Sequence, residues 1–216
     1  MIDLYVWDMD HTIIDNDCDV SWKKFLVEKK IAPESDFEEA DQFYEDYRNQ
    51  TLNLDEFLKF QCRDFKGRSV DEMAELCIEH FETYVKKTIY DKAKQTIQSQ
   101  QAGGGRLILL TATNKRIAQP LALALGFDHV LAYDLEKEKN IFTGNIVGEY
   151  SGGQGKVHYL ESYLKKFEGY EYTTSYYGDS STDIPVMSIV DHPVAVNPVP
   201  ALLEHAEQNG WETEKY

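Results

Sequence analysis

Cysteine is scarce in this sequence. Cys18, Cys62 and Cys77 are odd in number, far apart and never in a CxxC pair. That excludes a disulfide framework and fits reduced thiols in a cytosolic protein, with Cys62 and Cys77 expected in helix core. Positive charge is scarce too, with 22 Lys and Arg against 38 Asp and Glu, a formal net charge of -16. So acidic a chain is a poor sequence-independent binder of nucleic acid or anionic lipid. It also repels a phosphorylated ligand at long range, so any phosphate site must carry its own local cation. No apolar run approaches membrane-spanning length, and the N-terminus has neither a basic segment nor an apolar signal core. Internal repeats and low-complexity tracts are absent as well. These absences lead us to expect a soluble, cytoplasmic protein, monomer or homodimer, with no nucleic-acid or membrane partner.

What is present is ordinary for a globular chain: 216 residues, 42% hydrophobic and 12% aromatic, which excludes disorder and fibres and allows one domain or two small ones. Residues 19 to 88 contain no convincing strand. Helical spacing recurs there, as in Trp22, Phe25, Leu26 and in Met73, Leu76, Cys77, His80, Phe81, Tyr84. Ser35–Glu38, Asn53–Glu56 and Ser69–Glu72 resemble capping boxes and predict helix starts, giving about four helices in a small bundle.

From residue 90 helix and strand alternate. A helix near 91–102 stops at Gly103-Gly104-Gly105, and RLILL is a continuous apolar strand of the kind covered on both faces. Helices at 115–125, 155–167 and 183–190 and strands at 129–133, 172–178 and 193–197 follow, with a hairpin in IFTGNIVGE turning at Gly144. The pattern predicts an α/β fold: a doubly wound, mainly parallel, Rossmann-like sheet with a helical bundle inserted after its first strand. The expected division is a core of residues 1–16 and 89–216 and a helical cap of residues 17–88.

The first strand runs straight into VWDMDHTIID, where Asp8, Asp10 and Asp15 crowd together. Alternate residues of an extended chain share a face, so Asp8 and Asp10 point the same way and repel unless a positive charge joins them. In an open α/β sheet, ligands sit beyond the carboxyl ends of the strands. Thr111 ends RLILLT, Asp179 and Asp183 lie in GDSSTD after the strand through Tyr177, and Lys156 opens a helix after Gly152-Gly153-Gln154-Gly155. A polar loop explains one such cluster, but not several at matched strand ends. Oxygen-only ligation by acids favours Mg²⁺. A phosphate monoester could then be neutralised by the metal, by Lys156 and by Thr111 with neighbouring N–H groups, while Asp8 attacks phosphorus and Asp10 moves protons to and from oxygen.

Asp8-Met9-Asp10-His11-Thr12, Thr111 after an apolar strand, Lys156, and Gly178-Asp179-Ser180-Ser181-Thr182-Asp183 resemble, in order, the four signature motifs of the haloacid dehalogenase superfamily. The insertion after the first motif resembles its phosphoserine-phosphatase-like subgroup, subfamily IB with a helical C1 cap. The resemblance implies Asp8 as nucleophile, Asp10 as general acid/base, and Thr111, Ala112 and Lys156 as phosphate binders. It implies Mg²⁺ held by Asp8, the Asp10 carbonyl and Asp179, with Asp183 in support, and a small phosphorylated metabolite as substrate. Asp10 favours phosphate ester hydrolysis over dehalogenation, since dehalogenases generally lack the second acid. A phosphorylated receiver-type signalling module is the rival outside catalysis, but there the acid-rich motif does not follow the lysine. A phosphotransferase is the rival among enzymes.

Phosphoserine phosphatases carry a cap acid and a cap arginine that hold the amino acid. Asp17 falls near the acid position, whereas Gln61 stands at the arginine position with Arg63 two residues on, and Ala112 replaces the usual glycine. Asp17, Trp22 and Arg63 are thus the expected substrate-selecting residues of the cap. For Phe37, Phe43, Tyr44, Tyr47 and Phe57, bundle core is the stronger expectation, though an aromatic-lined pocket would suit a cationic head group.

Overall fold

In the computed structural model, which describes residues 1–49 and 51–216, the first strand β1 (Ile2–Trp7) lies at the centre of a six-stranded sheet. Its neighbours are β2 (Arg106–Leu110) and β6 (Tyr172–Gly178), both parallel to it. Beyond them come β3 (His129–Leu131) on one side, and β7 (His192–Val196) and β8 (Glu212–Glu214) on the other, all parallel. The order β3-β2-β1-β6-β7-β8 reverses its direction of growth at β1, and the crevice at that switch point is where ligands bind in such sheets.

Both faces of the sheet are covered, which is why RLILL is apolar throughout. Leu107 and Leu109 face one buried cluster, with α5 (Asp91–Ala102) and α6 (Lys115–Leu125). Ile108 and Leu110 face the other, against α7 (Gln154–Leu164), α8 (Ile184–Met187) and α9 (Pro200–Asn209). Gly126 stops α6 in the left-handed conformation at φ 73°, as a glycine after a helix does.

Among the described residues, four α-helices separate β1 from α5: α1 (Cys18–Glu28), α2 (Ser35–Arg48), α3 (Leu54–Cys62) and α4 (Val70–His80), the last continuing into a π-helical turn (Phe81–Val85) and a 3-10 turn (Lys86–Thr88). Asn53 and Ser69 cap α3 and α4, accepting from the N–H groups of Glu56 and Glu72. Ser35 does not cap α2. The chain already turns helically at Glu34, so Ser35 lies inside the helix. The cap that sequence reading missed is Asp17, whose carboxylate accepts from Val20 N–H at the start of α1.

The chain enters and leaves this segment side by side. Ile14 pairs with Ile89, Asp15 N–H donates to the Thr88 carbonyl, and Tyr90 N–H donates to that of Ile13. The buried cluster runs without a break from Trp7 through Cys18 and Trp22 to Phe65, Cys77 and Leu121, with α1 and α4 resting on α6.

The antiparallel hairpin β4 (Asp134–Glu138) and β5 (Ile141–Val147) stands apart from the main sheet. Its turn is Lys139-Asn140, not Gly144. Lys139 takes the left-handed conformation at φ 56°, while Gly144 lies within β5, where an added Cβ would press on the Lys66 side chain. The hairpin reaches the helical segment through Gly67 N–H to Phe142 C=O, Phe142 N–H to Arg68 C=O and Val70 N–H to Asn140 C=O. Phe142 stands edge-on to Phe65, with ring centroids 5.5 Å apart. No helix among the described residues is long and apolar enough to cross a membrane.

Candidate active site

Asp8 is the first residue past β1, and its N–H continues the sheet pairing by donating to Tyr177 C=O. Its carboxylate Oδ1 accepts from Lys156 Nζ at 2.7 Å. Lys156 enters from the first turn of α7, held close by Gly155, where an added Cβ would lie 2.0 Å from the Tyr150 carbonyl oxygen. The same Nζ donates to Asp183 Oδ1 at 2.6 Å, and the Tyr176 hydroxyl donates to that oxygen at 3.0 Å. Asp183 Oδ2 accepts from Ser180 N–H and crowds Gly178, where a Cβ would come within 2.5 Å of it. Asp179 follows Gly178 and accepts from the Thr12 hydroxyl at 3.3 Å.

Asp10 points to the same crevice, between two clamps. Oδ1 accepts from Cys18 N–H, the first residue of α1, and Oδ2 accepts from the Thr113 hydroxyl, both at 2.7 Å. Thr111 is fully buried; its hydroxyl accepts from Thr113 N–H and its carbonyl from Ser151, so Ala112 and Thr113 form the cavity wall there.

Burial and like charges govern the ionisation of this group. Loss of water, then Asp183, raises the Asp8 pKa to about 6 against the opposing pull of Lys156. Loss of water, then Asp17 and Asp8, raises Asp10 to about 8. Asp179 is held well above its ordinary value by burial and by Asp8 and Asp183. Burial alone would depress Lys156, but Asp183 and Asp8 outweigh it and hold the ammonium well above its usual range.

Asp8, Asp179 and Asp183 each bring one carboxylate oxygen within 4.8 Å of the others. Asp183 is already taken up by Lys156, Tyr176 and Ser180 N–H, which leaves Asp8 and Asp179 as the available acids. A buried, oxygen-only donor set with an excess of negative charge fits a hard divalent cation.

A cavity of about 370 Å³ opens above these residues, under the helical segment. The structure redistributes the residues expected to select the substrate. Asp17 lines the cavity, but Trp22 does not; it is fully buried in the core against Phe25, Phe65 and His80. Arg63 also lies away from the cavity, paired with the buried Asp36 and with Glu39 and set over the Phe60 ring. The aromatic set behaves in the opposite way: Phe43, Tyr44, Tyr47 and Phe57 line the cavity, and only Phe37 packs on the core. Gln61 lines it too, as do Asp19, Thr113 and Tyr150, which sequence reading missed. The one available signal was spacing, since Asp19 and Thr113 each stand two residues beyond a residue already singled out.

The model of the haloacid dehalogenase-like hydrolases matches residues 5–188. The chain belongs to that family. It is 31% identical over 217 residues to a histidinol-phosphatase of Neisseria meningitidis, covering 98% of this chain and 97% of that protein. It is 35% identical over 148 residues to a phosphoserine phosphatase of Mycobacterium tuberculosis, which covers 68% of this chain and 48% of that protein, so the match spans about half of the relative. A crystal structure of a Bordetella pertussis protein of unknown function superposes with a TM-score of 0.90 at 28% identity, covering 99% of this chain and 98% of that one. This haloacid dehalogenase-like hydrolase is therefore an enzyme with phosphatases among its relatives, built on the α/β fold that its first strand and acid motifs imply.

Proposed function

We propose that the enzyme is a Mg²⁺-dependent phosphatase of a small phosphomonoester, acting through an aspartyl-phosphate on Asp8. The observation that carries this reading is Lys156 bridging Asp8 and Asp183 at the switch point, with Asp179 and Asp10 alongside. Asp8 attacks phosphorus in line and becomes the acyl phosphate as the ester oxygen departs. Asp10, whose pKa burial and then Asp17 and Asp8 raise in the metal-free protein, gives a proton to the departing oxygen and then takes one from the water that attacks the acyl phosphate. Lys156 and the N–H of Ala112 hold the phosphate oxygens, the buried Thr111 hydroxyl fixes that turn by accepting from Thr113 N–H, and Asp183 fixes Lys156. The Asp8 and Asp179 carboxylates and the Asp10 carbonyl would hold Mg²⁺, which would supply charge neutralisation. Residues 17–88 act as a cap over a core of residues 1–16 and 89–216, sheltering the acyl phosphate from bulk water and limiting substrates to small molecules.

The test is hydrolysis of p-nitrophenyl phosphate. Activity should vanish with chelator and return with Mg²⁺. After acid quench, one phosphoryl group should be found on the Asp8 peptide, and Asp8→Asn should lose both turnover and label. Full activity in metal-free buffer, or an active Asp8→Asn, contradicts the proposal. A stable acyl phosphate without turnover would instead favour a signalling module, and transfer to an added alcohol in preference to water a phosphotransferase.

A further inference from the structure

Above the phosphate-handling residues, the cavity meets the helical segment at a set of acceptors, two of them without donors. Asp19 Oδ1 is shut off from water and accepts no hydrogen bond. Gln61, only 3% exposed, places its Oε1 in the same predicament, and both residues line the cavity. Asp17 stands beside them, with one carboxylate oxygen taken by Val20 N–H. Aromatic rings complete the surround: Phe43 stands edge-on to Phe57, with centroids 5.7 Å apart, and Phe57 edge-on to Tyr150 at 6.2 Å.

Buried acceptors without donors are costly, and a ligand that brings N–H groups removes that cost. Burial holds the Asp17 and Asp19 carboxyls above their ordinary range, and a cation beside them favours their charged forms, whereas an anion does not; the neighbouring aromatic rings favour the same charge. Among the described residues, the one arginine lining the cavity, Arg48, is 59% exposed and already lies 3.5 Å from Glu45, so it makes a weak, screened partner for a substrate carboxylate.

We propose that the substrate is the phosphate ester of an amino alcohol, whose nitrogen cation is held by Asp17, Asp19 and Gln61 within the ring of Phe43, Phe57 and Tyr150, and that it carries no carboxylate. This rests on the phosphatase reading and narrows it. It separates this enzyme from one built for phosphoserine, because Lys156, the buried cation at the cavity among the described residues, is taken up by the phosphate and an amino-acid carboxylate would face Asp17 and Asp19.

The test reads recognition apart from chemistry. Calorimetric titration of the Asp8→Asn variant with Mg²⁺ present compares phosphoethanolamine, histidinol phosphate, glycerol phosphate and phosphoserine. At least one of the two amines should bind tenfold or more tightly than glycerol phosphate, and phosphoserine no more tightly than glycerol phosphate. In the Asp8→Asn background, Asp19→Asn should cut the amine preference at least fivefold. Asp17→Asn should do the same, and since asparagine caps a helix as well as aspartate, α1 keeps its start. Equal binding of amines and glycerol phosphate, phosphoserine as the tightest ligand, no binding by any, or an unchanged preference in both charge variants would overturn the proposal. Hydrolysis of p-nitrophenyl phosphate by the unaltered enzyme is measured in parallel. If it occurs without amine preference, the substrate proposal alone falls; if it is absent while the preference stands, the phosphatase reading falls.

Discussion

The hydroxyl of Tyr47, on α2, lies 2.6 Å from that of Thr182, in the turn that carries Asp179 and Asp183. It bridges the helical segment and the acid motif directly over the cavity. A neutral hydrogen bond of this kind contributes roughly 1 kcal/mol. A double-mutant cycle of Tyr47→Phe and Thr182→Val, read in kcat/KM for p-nitrophenyl phosphate, should give a coupling of about that size. Additive effects would show that the bridge does not act during turnover.

Asp10 should matter in proportion to the leaving group's need of a proton. General acid catalysis contributes typically about 10²–10⁴-fold, so Asp10→Asn should lose that much on alkyl phosphates. On p-nitrophenyl phosphate, whose phenolate leaves unaided, the first step should survive. A Brønsted plot of the rate of Asp8 phosphorylation against leaving-group pKa, steeper in the variant, is the measurement.

Removing the Asp183 charge leaves the buried Lys156 ammonium with Asp8 and the Tyr176 hydroxyl, and relieves the repulsion of Asp8 and Asp179. A buried pair broken from one side costs roughly 3–5 kcal/mol, so Asp183→Asn, which leaves Lys156 partnered, should lower the urea midpoint by less than that. Tyr176→Phe removes one hydrogen bond to the same oxygen, and its effect should be about 1 kcal/mol.

Stability without metal should fall as pH rises. The Asp10 carboxyl titrates at about 8 in the folded protein against an ordinary 3.8, so between these values the folded state holds a proton that the unfolded chain has lost. Its contribution is intact below about pH 4 and is eroded steadily up to about pH 8. A cation binding the acid cluster opposes this, so Mg²⁺ should raise the melting temperature more at pH 8 than at pH 5. Asp10→Asn should flatten the metal-free profile. Circular-dichroism melts across this range, with and without Mg²⁺, check both.

His80 should add a slope of opposite sign at acid pH. Burial lowers its pKa to about 3 from 6.5, so the unfolded chain binds a proton that the folded one refuses, and stability is lost as pH falls below 6.5. His80→Gln should reduce that acid-side loss in urea titrations at pH 4 to 7, although it also disturbs the hydrogen bond to Ser21.

The sheet and the residues at its strand ends were legible because backbone topology alone decides where strand ends meet. Once β1, β2 and β6 are parallel neighbours, Asp8, Thr111 and Asp179 have no other place to go. The helical segment was less legible because periodicity reports which face is apolar, not what the face meets. On α2 the aromatic face of Phe43, Tyr44 and Tyr47 meets a cavity, while Trp22, the residue expected there, is turned into the core with its indole N–H unpartnered. The hairpin turn misled for a local reason: Gly144 does take a positive φ, of 90°, but inside β5, while the turn itself is made by Lys139 at φ 56°. The strand β8 and helix α9 were missed, although Pro200 at the helix start and Gly210 after its end marked α9.

The contacts from Gly67, Arg68 and Val70 to Asn140 and Phe142 bear on how such enzymes diversify. A recombination that exchanged residues 17–88 between relatives would replace Phe65 and its loop but keep a hairpin fitted to the old one. Exchange of the helices would therefore have to include residues 134–147 to keep this seam matched. A chimera that carries both pieces should fold and take the donor's ligand preference, whereas one carrying the helices alone would inherit a mismatched seam at Phe142.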